Sequence, residues 1–513
     1  MKKALAMALV FVFALSFMVC GTTVTASVER AVTTEQSTRA AGYTTGDLND
    51  DGVVNNRDLA LLQQYINDWE VTINEAAADT NGNGEVNNRD LALLQQYVNK
   101  WDVELAPSSP SANEVLTQVP AELSGTKITM QIWWRANKDD IAEAQTFTDQ
   151  TGIEVVYQTA DLNKYQSNLI GKVTGGNPPA LAAIINEWYP VPITRGLMQP
   201  VKNTGWDYSD DMLYSHAMMD QFAYKGEWYG IALKGSVMST FEVMFFNKTM
   251  MAEDVAAGTD PYSLWKKGQW NWGTCLELAK KYTDVNKDKY GLTLMNQYYW
   301  MLSAGQDFVL SDSHGLKNNI NSAKVLDAWY FAWDMINAHK VIPTDFSDQQ
   351  KLFFESRVPM LGGGSYYMQC DPIFDYVPQN MKDDWGVVPF PSPKGQAAVA
   401  GCEGTVWGFP TGVKGKQLQA AMWYLRYYLD DYNYGDRAVL ANENCWEVTN
   451  WMWNQKIQSY NSAGVLSYGG KLTSTSIQYY IVHTAATKAQ VKTNLVAWEA
   501  ELDEQISKIM NEF

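Results

Sequence analysis

The sequence predicts a multidomain chain: a small all-α module of two loop–helix repeats, then a larger two-lobed α/β part. Three observations carry that prediction. Asp47 to Asp58, DLNDDGVVNNRD, recurs thirty-two positions later as Asp79 to Asp90, DTNGNGEVNNRD, and each copy runs into the same apolar-periodic stretch. A Pro/Ser-rich stretch, APSSPSAN at 106–113, follows the repeats and has the composition of a linker. Beyond it, strand-like and helix-like segments alternate over roughly 390 residues, more than one core normally holds, so two lobes are expected.

The loops come first. Oxygen-bearing side chains fall at loop positions 1, 3, 5, 9 and 12: Asp47, Asn49, Asp51, Asn55 and Asp58, then Asp79, Asn81, Asn83, Asn87 and Asp90. Position 6 is glycine both times, Gly52 and Gly84, which allows a sharp turn without a Cβ clash. Hard cations such as Ca2+ take six to eight oxygen ligands on such a turn. Two Ca2+ ions are therefore expected, with Val53 and Glu85 at position 7 ligating through their backbone carbonyls. After each loop, Leu59, Leu62, Ile66 and Trp69, or Leu91, Leu94, Val98 and Trp101, repeat at 3 and 4 spacing, which predicts one amphipathic helix per copy. Before the first loop, AGYTTG carries Gly42 and Gly46 and no apolar period, so no entering helix is expected, and Asp replaces the Glu that usually ends an EF-hand loop.

A duplicated loop-plus-helix unit with these features resembles a type I dockerin, over residues 42–105. The resemblance implies a calcium-folded module that docks to a cohesin on a scaffoldin, as in a cellulosome. It places cohesin contact on Asn56, Arg57, Gln63, Gln64 and Asp68, and on Asn88, Arg89, Gln95, Gln96 and Lys100. Solvated polar residues would look the same. However, the helix LALLQQY and the VNNRD before it are shared by the two copies, so either face is expected to fit one partner.

Lys2 and Lys3, an apolar run from Ala4 to Val19 and VTA before Ser27 predict a secretory signal over 1–26. Cys20 offers a competing lipidation site, but Phe17, Met18 and Val19 before it are bulky for that purpose. No later stretch reads as a membrane span. Cys275, Cys370, Cys402 and Cys445 are widely spaced, leaving free thiols and disulfides both open. A formal charge of −18 disfavours nucleic acid as a partner. His216, His314, His339 and His483 form no metal pair, and DVNKDKYG at 284–291 reads as a turn rather than a third calcium loop.

In the larger part, KITMQIWW reads as a strand, DDIAEAQTFTDQTG as a helix and IEVVYQTA as a second strand. GGNPPALAAIINEWYPVPITRGLMQPV, YKGEWYGIALKG, FFNKTMM, QWNWGTCLELAKKYTDVNKDKYGLT, FFESRVPMLGGGS, DWGVVPFPSPKG and WGFPTGV follow in order. Together they resemble the extracellular solute-binding proteins of ABC sugar importers, of the maltose-binding kind. Ala180 departs from the family's usual aspartate after Gly176 to Pro179. With 106–122 as linker, the resemblance places the solute-binding part at 123–513, lobe one at about 126–245 and 391–430, and lobe two at about 246–384 and 431–513. Phe245 to Asn247 and Trp385 to Phe390 would be the crossovers, and hinge closure on a ligand the function.

Sugars present flat C–H faces and rims of hydroxyls, so a sugar site needs aromatic plates beside amide and carboxylate groups. The chain has 20 Trp and 28 Tyr. Trp188, Tyr189, Tyr299, Trp300, Tyr366, Tyr367 and Trp407 fall in the family's cleft segments, as does Tyr298, with Glu187, Asn296, Gln297 and Glu403 as hydroxyl binders. Core packing is the competing role for each ring. Trp446, Trp451 and Trp453 read as packing. The expected protein is secreted, scaffold-docked, oligosaccharide-binding and not an enzyme, supporting polysaccharide degradation or sugar capture, with an ABC permease as a possible recipient. Two alternatives are a dockerin-tethered glycoside hydrolase and a structural cohesin partner without ligand. A hydrolase needs two opposed carboxyls, which sequence alone cannot pair, and no G-x-S-x-G elbow, zinc motif or phosphate loop is present.

Overall fold

A computed structural model of the chain describes residues 44–49, 51, 53–67, 69, 71–81, 86–101, 103, 105, 112–134, 136, 138–210, 213–234, 239–344, 349–368, 381–467, 482 and 484–511. The expected signal over 1–26 with Cys20, residues 106–111 of the expected linker, and Gly42, Gly52, Asp68, Asn83, Gly84, Glu85, Cys370 and His483 lie outside the described residues. The remainder of that linker is corrected by the structure, because Ala112–Gln118 is a helix whose Val115 and Leu116 are buried in the core of the larger part.

The two repeats fold alike. Helix α1 (Asn56–Ile66) follows the first loop, a single turn α2 (Glu75–Ala78) precedes the second, and α3 (Asn88–Val98) follows it. Leu48, Leu62, Ala78 and Leu94 form their shared apolar core. Each helix starts with the same reciprocal cap. Asn55 accepts the Arg57 N–H at 2.8 Å while Asp58 accepts the Asn55 N–H at 2.9 Å. In the second copy Asn87 accepts from Arg89 and Asp90 from Asn87, both at 2.9 Å. The expected apolar stripe is cut short, because α1 and α3 end at Ile66 and Val98. Trp69 and Trp101 therefore lie past the helix ends and are 64% and 63% exposed.

The larger part has two sheets. Strands β1 (Lys127–Ile132), β2 (Glu154–Thr159) and β3 (Leu181–Ile185) are parallel in the order β2-β1-β3. Thr405–Pro410 pairs antiparallel with β3, and the short β4 (Met198–Gln199) pairs with it on the other side. Helices Lys138–Thr151 and Leu162–Thr174 connect the parallel strands, as the alternating pattern predicts. Tyr165 fastens the second helix to the sheet, donating to the Gln131 carbonyl at 2.7 Å and within 2.9 Å of that of Ala183.

The second sheet is built around Thr240–Asn247, flanked antiparallel by Met360–Gly364 on one side and by Trp385–Pro389 and Val399–Glu403 on the other. Phe241, Phe245 and Phe246 of that central strand are fully buried, each stabilising the lobe by about 1.5–3 kcal/mol.

Sheet membership corrects both expected crossovers. Phe245 to Asn247 lies wholly inside the second sheet, and the chain enters that sheet earlier, between Ile231, which bridges Trp407 of the first sheet, and Thr240. Trp385 to Phe390 is likewise a second-sheet segment. The return falls at Gly404, since Cys402 pairs with Phe241 and Thr405 with Ile185. Both segments lie in mostly apolar, buried strands, and such strands do not announce which sheet they join. The two passages are tied together where they meet: Ser239 Oγ lies 3.3 Å from the Thr405 carbonyl and 3.1 Å from the Thr405 N–H.

Among the described cysteines, Cys275, Cys402 and Cys445 are buried free thiols. The Asp284 to Gly291 segment is a turn, with the Asp284 carboxylate held by Lys287 at 2.8 Å. No helix among the described residues is long and apolar enough to cross a membrane.

Candidate functional site

The sequence-predicted groups converge where the two sheets exchange strands. In an α/β sheet, ligands bind beyond the carboxyl ends of the parallel strands, because loops there can present side chains without disturbing the core. Trp133 and Trp134 follow β1, and Asn186, Glu187 and Trp188 follow β3. From the second sheet comes Glu403, the last residue before the Gly404 return, and Tyr298 comes from the start of the helical turn Tyr299–Ser303.

The Tyr298 hydroxyl donates to Glu403, and the Tyr298 ring stacks on Tyr460 at 4.0 Å between centroids. Asn186 Nδ2 donates to the Tyr460 carbonyl at 2.9 Å, so the turn after β3 is held against the Tyr298–Tyr460 stack. Burial pushes the Glu403 carboxyl up, the Tyr298 hydrogen bond opposes this, and the Glu187 charge adds to the rise. Glu187 is exposed, yet surrounding protein pushes its carboxyl up as well. Glu242, on the central strand, is buried and driven well above the usual carboxylate range by desolvation and by Glu403.

The aromatic plates divide sharply. Trp188 stacks on Tyr165 at 4.4 Å and meets Trp133 edge-on at 5.4 Å. Trp133, Trp134 and Tyr366 are half-buried, which leaves ring surface at the lobe junction. The others sit deeper. Trp300 is fully buried against Trp272, Phe331 and Phe390. Tyr299 packs on Phe390, Tyr367 on Phe245 and Phe354, and Trp407 on Tyr428. Tyr189 is buried with its hydroxyl directed to the Ala223 carbonyl.

Trp300 is thus a core residue rather than an exposed plate, and the reason is local. Adjacent residues alternate between faces only on a strand, whereas Tyr299–Ser303 is a helical turn. Gln297 is buried, and Asn296 Nδ2 reaches the Tyr299 hydroxyl at 3.4 Å. Trp133 and Trp134 were not singled out from the sequence, because they read as the end of a strand. Their signal is position: an aromatic pair just past the first parallel strand. Trp453 packs edge-on against Phe241, as expected of a core ring. A separate polar cavity of about 1200 Å3 lies between the Lys281–Tyr290 and Lys351–Pro359 segments, away from these groups.

In the first repeat two loop carboxylates are buried and Asn49 and Asp51 remain exposed. Asp47 and Asp58 are 3% and 0% exposed, Asp58 Oδ1 accepts the Leu48 N–H at 2.8 Å, and Asn49 and Asp51 accept the N–H groups of Asp51 and Val53 at 3.0 Å. In the second, Asp90 is fully buried and accepts the Asn81 N–H at 3.2 Å. Buried carboxylates among backbone donors and amide oxygens are a hard-oxygen set of the type Ca2+ takes. Among the described residues, no three His, Cys, Asp or Glu side chains stand together as a preassembled metal site. Asn56, Arg57, Gln63, Asn88, Arg89, Gln95 and Lys100 are exposed, and Gln64 and Gln96 half-buried.

Two α/β lobes exchanging strands beside a floor of carboxylates and aromatic rings define a solute-binding architecture. The chain belongs to the bacterial extracellular solute-binding proteins, whose family model matches residues 142–441, and it carries a dockerin type I domain matched over 45–99. It is 22% identical over 284 residues to the maltotriose-binding protein of Pyrococcus abyssi, covering 53% of this chain and 55% of that protein. The chain thus spans about half the length of that curated relative. Among solved structures, a cyclo/maltodextrin-binding protein complexed with maltotetraose matches with a TM-score of 0.58 at 18% identity, over 73% of this chain and 96% of that one. The sugar-binding protein MalE of Xanthomonas citri matches at 0.57 and 16%, over 75% and 98%. These likenesses show the maltose-binding-protein-like fold.

Proposed function

We propose that this protein is an extracellular, scaffold-docked oligosaccharide-binding protein. The observation that carries the reading is the Tyr298–Glu403 hydrogen bond at the strand exchange, with Glu187 near enough to act on Glu403 and the half-buried Trp133 and Trp134 just past the end of β1. Carboxylates accept sugar hydroxyls and rings stack on sugar C–H faces, so the junction has both halves of a sugar site. Relatives that bind maltotriose or maltotetraose support the same class of ligand.

The dockerin domain supports docking to a scaffoldin cohesin through the exposed Asn56, Arg57 and Gln63 with the half-buried Gln64, or their counterparts Asn88, Arg89, Gln95 and Gln96. Two Ca2+ ions would be held by Asp47, Asn49, Asp51, Asn55 and Asp58 with the Val53 carbonyl, and by Asp79, Asn81, Asn83, Asn87 and Asp90 with that of Glu85. Bound calcium neutralises carboxylates that the fold buries. The module then fixes the protein beside enzymes that release oligosaccharides, and a permease is a candidate recipient of what it captures.

Calorimetric titration with cello-, xylo-, manno- and malto-oligosaccharides, run beside a reducing-sugar release assay, tests the reading. Heat without product supports it. Product instead would make Glu187 and Glu403 a hydrolytic pair, and neither heat nor product would leave a structural cohesin partner.

A further inference from the structure

The floor of the lobe junction carries three carboxyls at successive depths. Glu187 is exposed in the turn after β3, Glu403 is half-buried at the end of its strand, and Glu242 is 2% exposed beneath them. Glu403 and Glu242 lie on one face of the second sheet, because Glu403 pairs with Thr240 and Glu242 leans over Gly401. At Gly401 an added Cβ would stand 2.0 Å from Glu242 Oε2, so the sheet leaves room for that carboxyl and nothing else.

Among the described residues none of the three carboxyls has an ion pair, and neither Glu242 oxygen has a hydrogen-bond partner. What surrounds them is hydroxyl and ring. Tyr298 donates to Glu403, and Tyr460, stacked on Tyr298 and 2% exposed, brings a second buried hydroxyl. A ligand that brings many hydroxyls suits this floor. One that brings a carboxylate meets the Glu187 carboxyl at the mouth of this floor, and like charges repel more strongly beside low-dielectric protein than in bulk water.

We propose that the floor makes the site charge-selective: it accepts neutral oligosaccharides and rejects those bearing uronic acids, with Glu187 as the residue that senses ligand charge. The proposal rests on the oligosaccharide reading above and adds a specificity to it.

The test uses whichever neutral oligosaccharide of the panel binds the full-length protein best. Its C6 hydroxymethyl groups are oxidised to carboxylates, or, for a xylo-oligosaccharide, which has no C6, its glucuronic-acid-substituted form is taken; part of that acid is methyl-esterified, which restores neutrality while keeping the added size. The ester should bind within about fivefold of the parent, and the free acid at least about thirtyfold more weakly. In Glu187→Gln, and separately in about 0.5 M salt, the acid-to-ester gap should shrink at least about fivefold. Equal binding of acid and parent would overturn the proposal. So would an ester as weak as the acid, which would indicate size rather than charge, or a gap unchanged in Glu187→Gln. If no neutral sugar binds at all, the oligosaccharide reading itself falls, a result distinct from each of these.

Discussion

Gly464 stands so close to the turn after β3 that an added Cβ would be 2.0 Å from the Tyr189 carbonyl oxygen. Here the helix Ser462–Ser467, which follows the second sheet's Lys456–Ser459 strand, meets the loop of the first sheet backbone to backbone. Asn186 to Tyr460 at 2.9 Å and the Ser459 N–H to Gln221 Oε1 at 2.9 Å brace the same contact. A backbone obstacle cannot swing aside as a side chain can. Gly464→Ala should therefore cost about 1–3 kcal/mol, read as a lower denaturant midpoint with an unchanged slope. An unchanged midpoint would show that the lobes can part there freely.

Tyr298 and Glu403 should act as a unit in binding. Glu403→Gln keeps the shape but removes the charged acceptor, and is expected to weaken oligosaccharide binding about tenfold. Tyr298→Phe deprives the carboxyl of its donor and should weaken binding by less, with the double variant no worse than Glu403→Gln alone. Additive losses in the calorimetric cycle would separate the two residues.

Asp307 predicts a pH dependence. It is fully buried, accepts the Ser462 N–H at 2.7 Å and the Phe308 N–H at 2.7 Å, and burial lifts its pKa to about 7. The folded state therefore holds a proton that the unfolded chain releases near pH 4. Between about pH 4 and 7 the unfolded state binds fewer protons, so this group's contribution to stability falls as pH rises and levels off above 7. The loss is on the order of 2–4 kcal/mol. Denaturation of wild type and Asp307→Asn across this range should show a smaller fall in the variant, and parallel curves would refute the assignment.

Asp58 and Asp90 each cap a helix through one oxygen while closing the loop through the other. Removing calcium with a chelator should thus unwind α1 and α3 together, seen as lost helical circular dichroism and lost cohesin binding. The solute-binding lobes should still melt as before. Asp58→Ala should remove about 1 kcal/mol of capping in addition to one metal ligand. Replacing Asn56, Arg57, Gln63 and Gln64 alone should leave cohesin binding largely intact, because Asn88, Arg89, Gln95 and Gln96 present the same surface. Complete loss of affinity in that variant would show that the copies are not equivalent.

What the sequence made legible follows from how local each signal is. The loop spacing, the Asn55 and Asn87 caps and the helices after them depend on neighbours within a turn or two, and could be read directly. Glu187 and Glu403 were selectable by segment, although their proximity depends on Asn186 meeting Gly404 across two sheets. The crossovers were misplaced because the runs around Phe245 and Val387 are buried and mostly apolar, and burial of a strand does not encode a choice of sheet. Trp300 was misjudged because the helical turn Tyr299–Ser303 aims it into the core, and Trp69 and Trp101 because α1 and α3 stop a few residues short. Trp133 and Trp134 became visible only when β1 was seen to end before them.

Glu403 directly precedes Gly404, the residue at which the chain leaves one sheet for the other. A sugar hydroxyl pulling on that carboxylate would act on the pivot itself, with no intervening loop to absorb the displacement. Occupancy and posture are then a single variable, which makes this joint a natural transducer: a fluorophore placed across it would report loading directly.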